Sequence, residues 1–290
     1  MRPWILAARP KTLVAGIIPV VLGSALAFRE GGFHWGIFIC ALLGALAIQI
    51  GTNYVNDASD FEKGADTGDR LGPPRMAASG LLSPRALYAG AALWFLAALL
   101  FGGYLIAQAG IWMLVIGLSS IFFAVIYTAG PFPLAYLGLG DLFVLLFFGL
   151  VAVLGTVFAH THTLETRAVY LALATGFHAM SLIAVNNLRD IPTDIRAGKK
   201  TLAVRLGDLL SRVYVAILSF LPYFCWWPVA REMSGLVAYL PYLSLPLAAV
   251  NTLACFRVVN RRDFNGLLGR CAGLQLVFGL LASLALVFAR

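Results

Sequence analysis

Charge is what this chain has least of. Only 12% of its 290 residues are charged and 61% are hydrophobic, which excludes a soluble domain and implies a polytopic membrane protein. The four cysteines, Cys40, Cys225, Cys255 and Cys271, lie in or beside apolar runs without paired spacing. That excludes a disulfide framework or a cysteine metal site and leaves them as small core residues. The alternating pattern of a membrane barrel is missing. No basic stripe interleaved with aromatics occurs either, so the net charge of +8 is not a nucleic-acid footprint.

What fills the chain is apolar segments of spanning length, about 20 residues each. They fall at roughly 12–28, 33–55, 86–107, 111–127, 134–158, 167–187, 209–230, 233–256 and 267–288. Backbone groups in lipid must be satisfied within the segment, so these are helices. The expected fold is an all-α bundle of nine transmembrane helices. Lys and Arg orient it: 17 of the 21 fall on the side of the N-terminus and 4 on the other. The positive-inside rule therefore puts the N-terminus and both long connections in the cytoplasm. "SALAF" offers a signal-peptidase-like A-x-A at Ala25 to Ala27, but the patterned start "ARPKTL" argues for a retained first span.

The two long connections, residues 56–85 and 188–208, hold 8 of the 13 acidic residues: Asp57, Asp60, Glu62, Asp66, Asp69, Asp190, Asp194 and Asp208. Each opens on a similar motif, "NYVNDASDFEKGAD" after the second span and "NNLRDIPTDIRAGKKT" after the sixth. Spacings of three and four place Asn53, Asp57 and Asp60 on one helix face, with Asn56 four before Asp60, and Asn186, Asp190 and Asp194 on another, with Pro192 expected to distort the last turn. The repeated motif suggests a single domain, 1–290, loosely organised in two halves.

Clustered carboxylates at a membrane interface are unfavourable unless neutralised. Two facing sets of carboxylates and amides form an all-oxygen site, which suits Mg2+ completed by phosphate oxygens. Arg189, Arg196, Lys199, Lys200 and Arg205 from the second loop, with Arg70 and Arg75 from the first, complement a diphosphate. The chemistry this suits is ionisation of a membrane-soluble allylic diphosphate. A merely solvated pair of loops accounts for the charge but not for the paired faces; Glu62, Lys63 and Asp208 fit that plainer role.

The stretches "NDASDFEKGADTGDRLGPPRMAASGLLSP" and "NNLRDIPTDIRAGKKTLAVRLG" resemble the UbiA superfamily of intramembrane aromatic prenyltransferases. "ARPKTL", "YTAGPFPLAYLGLGD" and the "GADTGDR...GPPR...SG" run are similar to its branch acting on 1,4-dihydroxy-2-naphthoate. The resemblance implies a central cavity with a cytoplasmic-side active site, two Mg2+ ions and a polyprenyl diphosphate donor in a bacterial inner membrane. It also implies transfer to the naphthoate ring with loss of CO2, giving a demethylmenaquinone. By position, Asn53, Asp57, Asp60, Asp190 and Asp194 would hold metal. Asn56, Arg70, Arg75, Asn186, Asn187, Arg189 and Lys199 would line the substrate side. Many members read N-D-x-x-D-x-x-x-D; here position 64 is Gly, which leaves Asp66 as the candidate third acid.

Tyr127 could steady an allylic cation through its ring or serve as an interfacial anchor. Asp141 is a site candidate because carboxylates at span ends are generally functional, with helix capping as the alternative. Lys11 could attract an acidic acceptor or simply satisfy the charge rule. His34, His160, His162 and His178 read as structural. Other aromatic acceptors, 4-hydroxybenzoate or homogentisate, remain alternatives, as does an ion-coupled transporter, although transporters place such acids near the midplane. The contiguous D-G-x-x-A-R run of CDP-alcohol phosphotransferases is missing.

Overall fold

Apolar runs longer than the bilayer is thick dictate the architecture. The computed structural model describes residues 1–65 and 71–289, and among them every regular element is a helix. A short α1 (Arg2–Ala7) leads into α2 (Pro10–Arg29), α3 (Trp35–Glu62), α4 (Pro84–Ala109) and α5 (Ile111–Ile126). There follow α6 (Gly140–Thr161), α7 (Thr166–Arg196), α8 (Leu202–Arg231), α9 (Leu236–Arg257) and α10 (Phe264–Phe288). Eight helices are long and apolar enough to cross a membrane, and α5, at 16 residues, is a shorter apolar one. Each coincides with one of the nine expected segments. Large apolar side chains such as Leu93, Leu100, Phe122, Leu209 and Phe224 are exposed, as they are on a lipid-facing surface.

Local signals set the ends. Ser83 Oγ accepts from Ala86 N at 3.2 Å and Pro84 opens α4; Thr201 Oγ1 accepts from Val204 N at 3.3 Å at the start of α8. Both are N-caps. Pro192 does not end α7, which runs on to Arg196.

Several helices overreach, α3 and α7 among them. At 28 and 31 residues, α3 and α7 are about 42 and 46 Å long at 1.5 Å per residue, against about 30 Å of hydrocarbon. Their surplus turns carry the two acid motifs on the same side of the bundle. The core of α2, α6, α7, α8, α9 and α10 packs around Trp226, Phe278, Leu22 and Leu26, all fully buried. Close approach depends on glycine there: a Cβ at Gly149 would lie 2.6 Å from Ala172 O, so α6 and α7 meet backbone to backbone. At that contact α6 widens into a π-helical stretch, Leu145–Val151, a distortion that recurs at functional sites.

Candidate active site

A pocket of about 420 Å3 runs between α3 and α7. Its polar end carries Asn56, Asp60, Arg75, Asp190, Asp194 and Lys199. Its depth is walled by Gly102, Leu105, Met113, Gly117, Phe123 and Gly155. Asn53, Tyr127, Asp141, Asn186 and Asn187 also line it. Asp66 and Arg70 lie outside the described residues.

Asp60 is where the two halves join. Arg75 Nη2 donates to its Oδ2 at 3.1 Å, while Tyr136 Oη at 3.1 Å and Lys199 Nζ at 3.2 Å donate to Oδ1. Burial raises the Tyr136 phenol, and the Asp60 carboxylate raises it further, so this hydroxyl stays a donor. Asn56 Oδ1 accepts from Thr128 Oγ1 at 2.6 Å. Asn53 faces the other way, donating to Ala8 O at 2.8 Å and Thr12 Oγ1 at 3.3 Å; its amide nitrogen fastens the start of α2 to α3. On α6, Asp141 accepts from Tyr214 Oη at 3.3 Å and sits in the first helical turn, where a negative charge is favoured by the helix dipole.

Three expected site residues are placed elsewhere. Asp57 is 1% exposed and off the pocket lining. Its Oδ2 and Oδ1 accept from the backbone amides of Met76 and Ala77, both at 3.0 Å, capping the turn that returns the chain to α4. It sits at the edge of the acid stripe, and this connection, not the pocket, faces that edge. Arg189 is also 1% exposed. It forks its own neighbour Asp190, Nε to Oδ1 at 2.8 Å and Nη2 to Oδ2 at 2.6 Å. It also donates to Asn186 Oδ1 and Asn265 Oδ1 at 2.8 and 2.7 Å, so its guanidinium positions Asp190 and offers a diphosphate little. Lys11 is exposed. The helix starts at Pro10, with Arg9 ahead of it in a left-handed conformation, φ 51°; this register turns Arg9, and not Lys11, into the pocket. Burial lowers the Arg9 guanidinium, and Asp57 and Asp60 oppose that shift.

Arg196, Lys200 and Arg205 are exposed. Arg205 donates to Lys200 O at 3.1 Å and Leu137 O at 2.8 Å, holding the α5–α6 connection against the second acid loop. Sequence reasoning missed Arg9, Thr128, Tyr136 and Asn265. Only Arg9 had a signal, the proline that fixes the helix start. Among the described residues no three His, Cys, Asp or Glu side chains converge closely enough to hold a metal by themselves. Asp60, Asp190 and Asp194 all line the same pocket, and these are the carboxylates that a hard cation completed by substrate oxygens would use. Among the histidines, His160 bonds Ser24 Oγ at 3.1 Å and accepts from His34 N at 3.2 Å, whereas His178 is fully buried with neither ring nitrogen hydrogen-bonded.

Comparison with known proteins points the same way. The chain is 35% identical to a 1,4-dihydroxy-2-naphthoate octaprenyltransferase of Haemophilus influenzae, covering 99% of this chain and 96% of that one. A protein of the same name from Mycobacterium tuberculosis is 38% identical, over 87% of this chain and 82% of its own. In fold it matches a UbiA homolog from Archaeoglobus fulgidus bound to DMAPP and Mg2+, with a TM-score of 0.64 at 15% identity, covering 96% and 98% of the two chains. Residues 16–265 fit the model of the UbiA prenyltransferase family, and the chain belongs to that family.

Proposed function

We propose that this enzyme transfers a polyprenyl group from polyprenyl diphosphate to 1,4-dihydroxy-2-naphthoate, with loss of CO2, to give the reduced, dihydroxy form of a demethylmenaquinone. The observation that carries the reading is the two-ended pocket. Carboxylates and cations crowd one end, and the remaining wall is largely apolar, as an amphiphile with a diphosphate head and a hydrocarbon tail requires. The relatives named for this reaction, at 35% and 38% identity, support the choice of acceptor. We further infer nine passes, with α5 as the ninth, one prenyltransferase unit over residues 1–290, and a cytoplasmic N-terminus in a bacterial inner membrane, from the charge asymmetry.

Asp60, Asp190 and Asp194, with the amide oxygen of Asn56, would hold Mg2+, as two ions, on the diphosphate. Bound Mg2+ supplies the Lewis acidity that stabilises the departing diphosphate. The chain's own groups do the remaining work. Arg75 and Lys199 balance the oxygens of the leaving group, while Tyr127, on the pocket lining, would offer its ring to the allylic cation. The dry lower wall excludes water from the cation. The C–O bond to the diphosphate breaks, the ring carbon bearing the carboxylate attacks, and that carboxylate leaves as CO2.

Membranes containing the enzyme, given Mg2+ and a polyprenyl diphosphate, should prenylate dihydroxynaphthoate in preference to 4-hydroxybenzoate and homogentisate. Asp60→Asn and Asp194→Asn should each lower the rate by about 100-fold or more, the range of a lost transition-state contact. Product from 4-hydroxybenzoate alone, or undiminished product from both variants, would overturn the proposal.

A further inference from the structure

Tyr136 stands where three segments of the chain meet. Its hydroxyl donates to Asp60 Oδ1 at 3.1 Å, and its carbonyl accepts from Lys200 N at 2.9 Å. Its ring lies beneath two ammonium groups, Lys199 at 4.6 Å and Lys63 at 5.1 Å from the centroid. Both distances are within reach of cation–π attraction, which strengthens as the pair is desolvated.

The two lysines differ in what else holds them. Lys63 is fastened to the backbone, donating to Thr128 O at 2.5 Å and Gly130 O at 3.2 Å, and it is not on the pocket lining. It is a tether for the α5–α6 connection. Lys199 lines the pocket and is joined to the first acid motif through Asp60 Oδ1, at 3.2 Å. That oxygen is also one a divalent cation would use, and an ammonium and a dication cannot both keep one carboxylate oxygen without strong repulsion. The ring face is a second attachment that uses no carboxylate oxygen, while the Tyr136 hydroxyl shares Asp60 Oδ1 with Lys199.

We propose that Tyr136 is a positioning residue that seats Lys199 for the diphosphate. With Asp60 engaged by a divalent cation, the ring would keep the Lys199 ammonium at the pocket wall, free to turn to the diphosphate. Without the ring, a lysine on a four-carbon stem loses that fixed start and hydrates instead. Arg75 stays on Asp60 Oδ2, so Lys199 is the exchangeable partner and Arg75 the fixed one. This rests on the prenyl-transfer reading of the pocket.

The test uses full-length protein in detergent or nanodiscs. Mn2+ is followed by electron paramagnetic resonance, and inorganic diphosphate is the added anion. Tyr136→Leu should weaken Mn2+-dependent diphosphate binding about tenfold, the scale of a desolvated cation–π contact. Tyr136→Phe, which keeps the ring, should stay within about threefold of the unaltered protein. Tyr136→Leu combined with Lys199→Met should bind no worse than Lys199→Met alone, because both remove one interaction. The KM for a polyprenyl diphosphate should rise in step with the binding loss. If Tyr136→Leu does not fold, Tyr136→Met carries the same expectation. A Phe variant as weak as the Leu variant, or single losses that multiply in the double variant, would overturn the proposal. Diphosphate binding is read without an acceptor, so a failure of prenyl transfer and a failure of this seat give different results.

Discussion

At the end of α3, Asp57 is fixed by the backbone amides of Met76 and Ala77; at the end of α7, Asp190 is fixed by the guanidinium of its own neighbour, Arg189. Both helices overreach the bilayer and both end in carboxylates, yet one acid is held by neutral dipoles and the other by a full charge. Two amides satisfy a carboxylate without cancelling its charge, so the first end stays negative and draws Arg75 and Lys199 onto Asp60. The fork at the second end makes a nearly neutral, nearly buried pair, 1% and 15% exposed. The two ends thus match in sequence pattern but differ in charge, and Lys199 from the second loop crosses to Asp60 of the first.

Breaking the fork should have the largest effect. Arg189→Met leaves the Asp190 carboxylate without its cation and removes the donors to Asn186 and Asn265. Stripping one partner from a buried ion pair costs about 3–5 kcal/mol, and thermal unfolding in detergent should register it as a large fall in Tm. Arg189→Lys should recover only part, since an ammonium cannot fork. An unchanged Tm for Arg189→Met would mean that the second end is held by packing alone and that the contrast between the ends is false.

Replacing Asp57 sharpens the contrast from the other side. Asp57→Asn turns one acceptor into a donor facing a backbone N–H, an unsatisfied buried contact worth about 1–3 kcal/mol. Stability should fall by that amount, while activity per folded molecule stays near that of the unaltered enzyme. Asp60→Asn, which strips its carboxylate from buried Arg75 and from Lys199, should also lose stability but, unlike Asp57→Asn, should lose activity per folded molecule as well. Equal loss of activity from both, measured on folded protein, would return Asp57 to the site.

This pair also shows how far the sequence reached. The helices were legible because long apolar runs have one solution in lipid, and eight of the nine segments are of spanning length in the structure. The acid stripes were legible because spacings of three and four share a helix face. That rule could not separate Asp57 from Asp60, which both satisfy it; the choice depends on where residues 76–77 fold back. Arg189 looked like a phosphate ligand because charge shows in a sequence and a bidentate partner does not. Tyr136 and Asn265 were silent, since their partners lie 76 positions away in each case.

The smallest expected effect tests how each end holds its amide. Asn56 Oδ1 accepts from the neutral hydroxyl of Thr128 at 2.6 Å, whereas Asn186 Oδ1 accepts from the Arg189 guanidinium at 2.8 Å. Thr128→Val keeps the shape and removes only the hydroxyl, so stability should fall by about 0.5–1.5 kcal/mol, the net worth of one neutral hydrogen bond. Thr128 O remains available to Ser59 and Lys63, because those contacts use the backbone carbonyl. The Asn56 amide, then free to turn, should raise the KM for the diphosphate donor by less than about threefold, a shift under 1 kcal/mol. A loss as large as that from Arg189→Met would show that the neutral end is as tightly organised as the charged one. The distinction between dipole-held and charge-held motifs would then have no energetic content.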